Sequence, residues 1–242
     1  MKIALISDVH ANLEALESAL RDIEKQGAEA IHFLGDAVGY GPNPNESVAR
    51  IDKYCDIKLL GNHDYAALGL ESTDTFNSAA RQSLSWTQEK LKRKSMERLA
   101  DFEMTSTYLD CFLVHATPEE PDKWQYLLTV ENAARQFNYF SQTNCFLGHS
   151  HLPSIYTLEN DGTVSIRFAE KFICQPEKRH IINVGSIGQP RDNDPRGCYL
   201  TYDTDNREIT FRRIEYDIEK AQKKMEKANL PEFLITRLSK GV

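Results

Sequence analysis

KIALISDVHANLEALESALRDIEKQGAEAIHFLGD, residues 2–36, decides the fold. Its first apolar run, ending at Ser7, reads as a buried strand. Leu13, Leu16, Leu20 and Ile23 then recur at helical spacing until Gly27 stops the pattern, with Asn12 placed to cap the helix. Ile31-His32-Phe33-Leu34 is a second strand, so the stretch is a βαβ unit with parallel strand pairing. Both strands run into polar residues, Asp8-Val9-His10 after the first and Gly35-Asp36 after the second.

The same ending recurs further along the chain. After a turn-rich YGPNPNE segment and a short helix carrying Val48 and Ile51, a third strand, Ile57 to Leu60, leads into Gly61-Asn62-His63-Asp64. A fourth, Cys111 to Val114, stops at His115, and a fifth, Cys145 to Leu147, stops at Gly148-His149-Ser150-His151. Ligand sites of open α/β sheets sit beyond the carboxyl ends of strands, where all five deliver Asp, Asn or His. Between them, Phe76, Ala80, Leu84, Thr87 and Leu91 form a helical stripe with Asp74 as its expected cap, and another helix is expected over about 130–140. Strands near 154–158, 164–168, 180–184, 197–202 and 208–214 predict a second, more antiparallel sheet. From Asp217 the pattern is an amphipathic helix pair with a frayed end. With no repeat, linker or low-complexity tract, residues 1–242 are expected to form one domain.

Composition narrows the function. Hydrophobic residues make up 40% and charged residues 27%, ordinary for a globular protein, and no apolar run approaches the ~20 residues of a membrane span. The net charge of −7 argues against an extended nucleic-acid surface and favours a small phosphorylated partner drawn by a local positive centre. Cys55, Cys111, Cys145, Cys174 and Cys198 are scattered and odd in number, which disfavours a disulfide framework and makes a reducing cytoplasm the simplest location.

Asp8 and His10 stand two apart, a spacing that in extended backbone points both side chains the same way; His149 and His151 repeat it. Asp36 offers two oxygens able to bridge two ions, Asn62 a neutral oxygen and His115 a further imidazole. Two ions of +2, less two carboxylates and a bridging hydroxide, leave a positive centre that attracts phosphate and lowers the pKa of bound water toward ~7, creating a nucleophile. This mixed donor set suits manganese, iron, zinc or cobalt, divalent or trivalent, better than calcium. His63, beside Asn62, is the candidate donor of a proton or hydrogen bond to a leaving-group oxygen, with Asp64 available to orient or charge its ring.

DVH (8–10), GDAVG (35–39), GNHD (61–64), VHA (114–116) and GHSH (148–151) resemble, in order, the signature blocks of the calcineurin-like metallophosphoesterases. NVGSIGQPR (183–191) resembles their bacterial phosphodiesterase-like branch. The resemblance implies an α/β four-layer αββα sandwich of two mixed sheets. It implies one ion held by Asp8, His10 and His151, a second by Asn62, His115 and His149, Asp36 between them and His63 beside the leaving group. Position 39 is glycine where many members carry aspartate.

Taken singly, each of these residues has a structural explanation, a turn, a cap or a packed imidazole, and His32 and His180 are read that way. Arg191 is a candidate phosphate contact beside the charged-loop alternative that also covers Arg196. Asn77 and Arg81 overlook the site or pair on the surface; Trp124 and Tyr126 stack on a nucleobase or anchor a loop. The amides of Gly185 to Gly188 approach a phosphate or form a tight turn. The expected activity is metal-dependent hydrolysis of a phosphodiester or phosphomonoester, with a nucleotide among the candidate substrates. The rivals are a serine/threonine protein phosphatase, a dinucleoside polyphosphate hydrolase, a nuclease and a non-catalytic scaffold.

Overall fold

The computed structural model of the protein describes residues 1–242. The chain order is β1 (Lys2–Ile6), α1 (Leu13–Lys25), β2 (Ala30–Phe33), α2 (Pro44–Tyr54), β3 (Ile57–Lys58), α3 (Asn62–Ala67), α4 (Ser78–Lys90) and α5 (Arg93–Ala100). It continues through β4 (Thr105–Tyr108), β5 (Cys111–Val114), α6 (Val130–Gln136), β6 (Asn144–Leu147), β7 (Ser154–Leu158), β8 (Val164–Arg167) and β9 (Lys171–Ile173). β10 (Arg179–Asn183), β11 (Gly197–Asp203), β12 (Glu208–Ile214), α7 (Ile218–Lys227) and α8 (Glu232–Arg237) complete it.

Two mixed six-stranded sheets stack with helices outside them, in the orders β3-β2-β1-β11-β12-β9 and β4-β5-β6-β10-β7-β8. Side-chain alternation explains the layers. Ile3 and Leu5 of β1 enter the apolar layer between the sheets with Leu113, Phe146, Ile182 and Leu200, whereas Ala4 and Ile6 face Leu16, Ile23, Val48 and Ile51 of α1 and α2. Cys145, Leu147 and Ile181 meet Ala133 and Phe137 on the outer face of the second sheet. The α/β four-layer arrangement therefore stands.

The expectation that the last third of the chain builds the second sheet does not. β9, β11 and β12 join the first sheet, while β7, β8 and β10 join β5 and β6 in the second. β11 buries Leu200 and Tyr202 between the sheets and Tyr199 toward the helices, so both its faces are apolar and it takes a central place beside β1. β4 and β9, absent from the sequence reading, are short edge strands without a buried side, and α5 was also missed. Asn77, not Asp74, caps α4, its side chain accepting from the Ala80 N–H at 2.9 Å. The last turn is pinned rather than frayed: Gly241 is buried and its carbonyl accepts from the Asn193 N–H at 2.8 Å.

Candidate metal centre

The loops after β1, β2, β3, β5 and β6 meet at one end of the sandwich, and backbone bonds tie neighbouring loops within each sheet. Asp8 N–H donates to Gly35 O, His10 N–H to Asp36 O and Gly148 N–H to His115 O, each at 2.9 Å. Asp8, His10, Asp36, His149 and His151 all have left-handed backbones, with φ of 54°, 48°, 61°, 64° and 61°. Each such non-glycine residue costs on the order of 1–3 kcal/mol and persists where its surroundings over-determine it. Extended-backbone alternation is therefore not what pairs Asp8 with His10; a left-handed loop held by the β2 end does so. Gly148 lets the carboxylate in, since a Cβ there would lie 2.5 Å from Asp8 Oδ2 and 2.0 Å from Ser7 Oγ.

Each carboxylate is held by one oxygen and offers the other. Asp8 Oδ2 accepts the His149 N–H at 3.0 Å, leaving Oδ1 buried without a hydrogen-bond partner, 3.2 Å from His151 Nε2. Asp36 Oδ1 accepts the His63 N–H at 2.8 Å, and its Oδ2 stands 3.5 Å from His10 Nε2 and 3.5 Å from His115 Nε2.

The imidazoles are oriented by backbone carbonyls. Nδ1 of His10 donates to Val38 O at 3.1 Å, Nδ1 of His115 to Leu34 O at 2.7 Å, and Nδ1 of His151 to Gln189 O. His149 reverses the ring, Nε2 donating to Trp124 O at 2.9 Å. A carbonyl only accepts, so these bonds place the proton and leave the opposite nitrogen as a lone pair. The consequence is conspicuous at His10 and His151, whose Nε2 atoms approach to 3.1 Å. Two lone pairs at that distance repel unless a cation lies beside them, and a buried Asp8 Oδ1 without a donor has the same requirement. Two groups of donors, Asp8/His10/His151 and Asp36/His115/His149, each have their ligand atoms within 4.8 Å of one another. Asn62 Oδ1 joins the second, 3.3 Å from His115 Nε2. The residues fit metal ions.

Electrostatics agree. Burial pushes His10 well down, lowers His151 and takes His149 to about 3, keeping these rings neutral and able to coordinate. Burial opposes the charge on Asp36 too, but the surrounding histidines, His115 first, hold it ionised. At His115 burial is again opposed, and the nearby Asp36 carboxylate carries the ring up to about 9, a proton that a bound cation would displace.

His63 lies between His10, Tyr40 and Phe76, with ring centroids at 4.9, 4.3 and 5.1 Å. Its Nδ1 has no partner, and a Cβ at residue 39 would come within 2.3 Å of it, so the glycine there makes room for the ring. Asp64 does not orient that ring. Its Oδ1 accepts from Val38 N–H and its Oδ2 from Ala37 and Gly61 N–H, all at 3.1 Å, tying the β2 loop to the start of α3.

Arg191 reaches the rim, Nη2 donating to Gln189 Oε1 at 3.0 Å and lying 3.5 Å from Tyr40 Oη, with Nε buried and unpartnered. Arg196 is instead paired with Asp194, Asn77 caps its helix, and Arg81 donates to the Asp74 and Phe76 carbonyls. Trp124 is an anchor, its indole donating to Glu71 at 2.9 Å while its carbonyl holds His149. Tyr126 stacks on His149 at 4.1 Å and stays half-exposed. The amides of Ile187 and Gly188 are consumed by Ser7 and Asp8 carbonyls, so the GSIG turn clamps the first loop. Asn183 is a further organiser missed from sequence: its Nδ2 donates to Gly148 O and Ser150 Oγ, and its Oδ1 accepts from Gly185 N–H. Only the NVGSIGQPR resemblance pointed toward it. Tyr40 carried no signal.

Residues 1–207 match the model of the calcineurin-like phosphoesterase superfamily domain, and the chain belongs to that family. It is 38% identical over 243 residues to protein MJ0912 of Methanocaldococcus jannaschii, covering 99% of this chain and 98% of that one. A metallophosphoesterase structure from Sphaerobacter thermophilus is 38% identical, covers 100% of this chain and 99% of its own, and superimposes with a TM-score of 0.88. Protein PH1004 of Pyrococcus horikoshii OT3 shares the fold at 19% identity, with a TM-score of 0.81 over 100% of this chain and 98% of its own.

Proposed function

We propose that the protein is a dinuclear metal-dependent phosphoesterase, acting as one domain on a small, nucleotide-like phosphodiester or phosphomonoester. The observation that carries this reading is Asp36 Oδ2, equidistant at 3.5 Å from one imidazole of each donor group. Asp8, His10 and His151 would hold one transition-metal ion, Asn62, His115 and His149 the other, and Asp36 both; manganese, iron, zinc and cobalt all suit these donors. When bound, the ions supply positive charge for the phosphoryl oxygens and lower the pKa of water.

The chain's own residues do the rest. Asn62, through its amide, and Arg191, through its forked guanidinium, would position the phosphoryl group. Water adds to phosphorus, the P–O bond to the leaving group breaks, and His63 hands the leaving oxygen a proton that water's own proton replaces. Burial holds His63 at about 4, so its ring is neutral before substrate arrives, and a phosphate's negative charge beside it favours the protonated form. Asp64 positions the loops rather than the ring. Five free, buried cysteines favour a reducing cytoplasm, and no helix is long and apolar enough to cross a membrane.

The test is hydrolysis of bis-p-nitrophenyl phosphate and p-nitrophenyl phosphate by metal-stripped protein, with manganese added back and Asp36→Asn as control. Activity that returns with metal and is lost in the variant supports the reading. A folded protein inert with every divalent metal rejects it.

A further inference from the structure

The segment joining β5 to α6 passes over the His149 side of the centre and is fixed along its length. The Glu119 N–H donates to Gln136 Oε1 at 2.9 Å, and the Glu119 carboxylate accepts from Tyr139 Oη at 2.7 Å and from Arg135. Trp124 is held twice, through its indole to Glu71 and through its carbonyl to His149 Nε2, each at 2.9 Å. Leu127 is buried with Ala133 and Phe137, and Thr129 caps α6, accepting from the Asn132 N–H at 3.2 Å.

Tyr126 stands between Trp124 and Leu127 and is not itself an anchor. Its ring lies nearly parallel to the His149 imidazole, with centroids 4.1 Å apart and an interplanar angle of 21°, yet the residue is 49% exposed. One face is covered by the imidazole, and the main chain is a small part of a tyrosine, so the exposed share is the opposite face with its rim. A ring needed only for packing is driven into the apolar layer beneath, as Leu127 is. Here an aromatic face is instead presented to solvent against an imidazole of the donor cluster, by a segment whose fixed neighbours leave little to order when a ligand arrives.

We propose that the outer face of Tyr126 is a stacking platform for a planar ring of the substrate, so that the substrate class is a phosphate ester carrying a nucleobase. The inference rests on the phosphoesterase reading, which puts the phosphoryl group at the donor cluster. His149 belongs both to that cluster and to the stack, so a phosphate at the one and a ring on the other lie within the reach of a single nucleotide. Stacking reads π surface rather than hydrogen-bonding edges, so the platform favours a base over no base and tolerates different bases.

The test compares adenosine 5′-monophosphate with methyl β-ribofuranoside 5-phosphate, which carries a methoxy group in place of the base. Calorimetry on manganese-loaded His63→Ala protein reads binding of both with turnover suppressed. The nucleotide should bind about tenfold tighter or more; Tyr126→Leu should bring the two within about twofold by weakening the nucleotide alone, and Tyr126→Trp should keep the preference. A role confined to seating His149 predicts instead that Tyr126→Leu weakens both compounds alike, together with manganese affinity, and that result overturns the platform. Equal binding or no binding of the two compounds before Tyr126 is changed, or a preference that survives Tyr126→Leu, overturns it too, and ester hydrolysis alongside any of these leaves the phosphoesterase reading intact. A Tyr126-dependent preference in a protein that hydrolyses no phosphate ester sinks the phosphoesterase reading and upholds the platform. The emission of 2-aminopurine riboside 5′-monophosphate, which stacking quenches, needs no change at Tyr126: quenching at saturation is expected, and undiminished emission overturns the proposal even if Tyr126→Leu fails to fold.

Discussion

Seven histidines divide between two regions that share burial but not their surroundings. His10, His63, His115, His149 and His151 converge where five strands end, while His32 and His180 lie within β2 and β10. All seven are buried. His32 packs on Tyr108 at 4.4 Å with neither ring nitrogen partnered, and His180 shares a hydrogen bond of 3.0 Å with Thr157 Oγ1 and packs on Phe172. Burial takes His180 to about 4, as it does His63. A depressed pKa therefore does not separate the two regions. Rings held by backbone carbonyls (His10, His115, His149, His151), left-handed backbones (His10, His149, His151) and neighbouring carboxylates with a free oxygen do; His32 and His180 have no such backbone and no such carboxylate.

The comparison breaks most visibly at Asp36. Asp36→Asn should lose both ions, measured as metal content of the purified protein, and cost at least ~10³ in kcat/KM; two ions retained would remove the bridging role. His63→Ala should lower kcat by about 10²–10⁴ with metal content unchanged. Wild-type activity in that variant would make His63 a packing residue like His32.

Acid separates the regions next. The folded-state pKa of His180 lies below its unfolded value, so the unfolded chain binds more protons and stability falls as pH drops from about 6.5 toward 4. The loss is up to about 3 kcal/mol, read from urea midpoints, and His180→Leu should remove that part of the acid slope. An unchanged slope would mean that another group carries it. Asn183→Ala, which releases the GHSH turn, should weaken metal affinity by about 10–100-fold in chelator competition. The smallest effect is His32→Leu: it removes two buried nitrogens without partners, so stability should change by less than about 1 kcal/mol or rise. A large loss there would reveal a polar partner for His32.

How much was legible follows the same division. Strand positions came through because apolar runs and their polar endings are local: β5, β7 and β12 have the bounds that periodicity marks. β4 and β9 did not, because edge strands with no buried side leave no pattern. Every residue of the donor groups was legible as a chemical type, since only Asp, Asn and His recur after the strands. Asp64 was misread because it stands next to His63 in the chain, whereas its oxygens face three backbone amides.

Sequence by itself determined the two alternations, the five polar strand endings and the donor inventory, because each is written in residue identity at short range. Tertiary structure alone decided which sheet β5, β6 and β11 enter, which nitrogen each imidazole presents, and that α7 and α8 pack against Tyr40. Those outcomes depend on backbone carbonyls, amides and close approaches between distant segments. A peptide group is nearly the same whatever side chain it bears, so the sequence carries no mark of where it will be used.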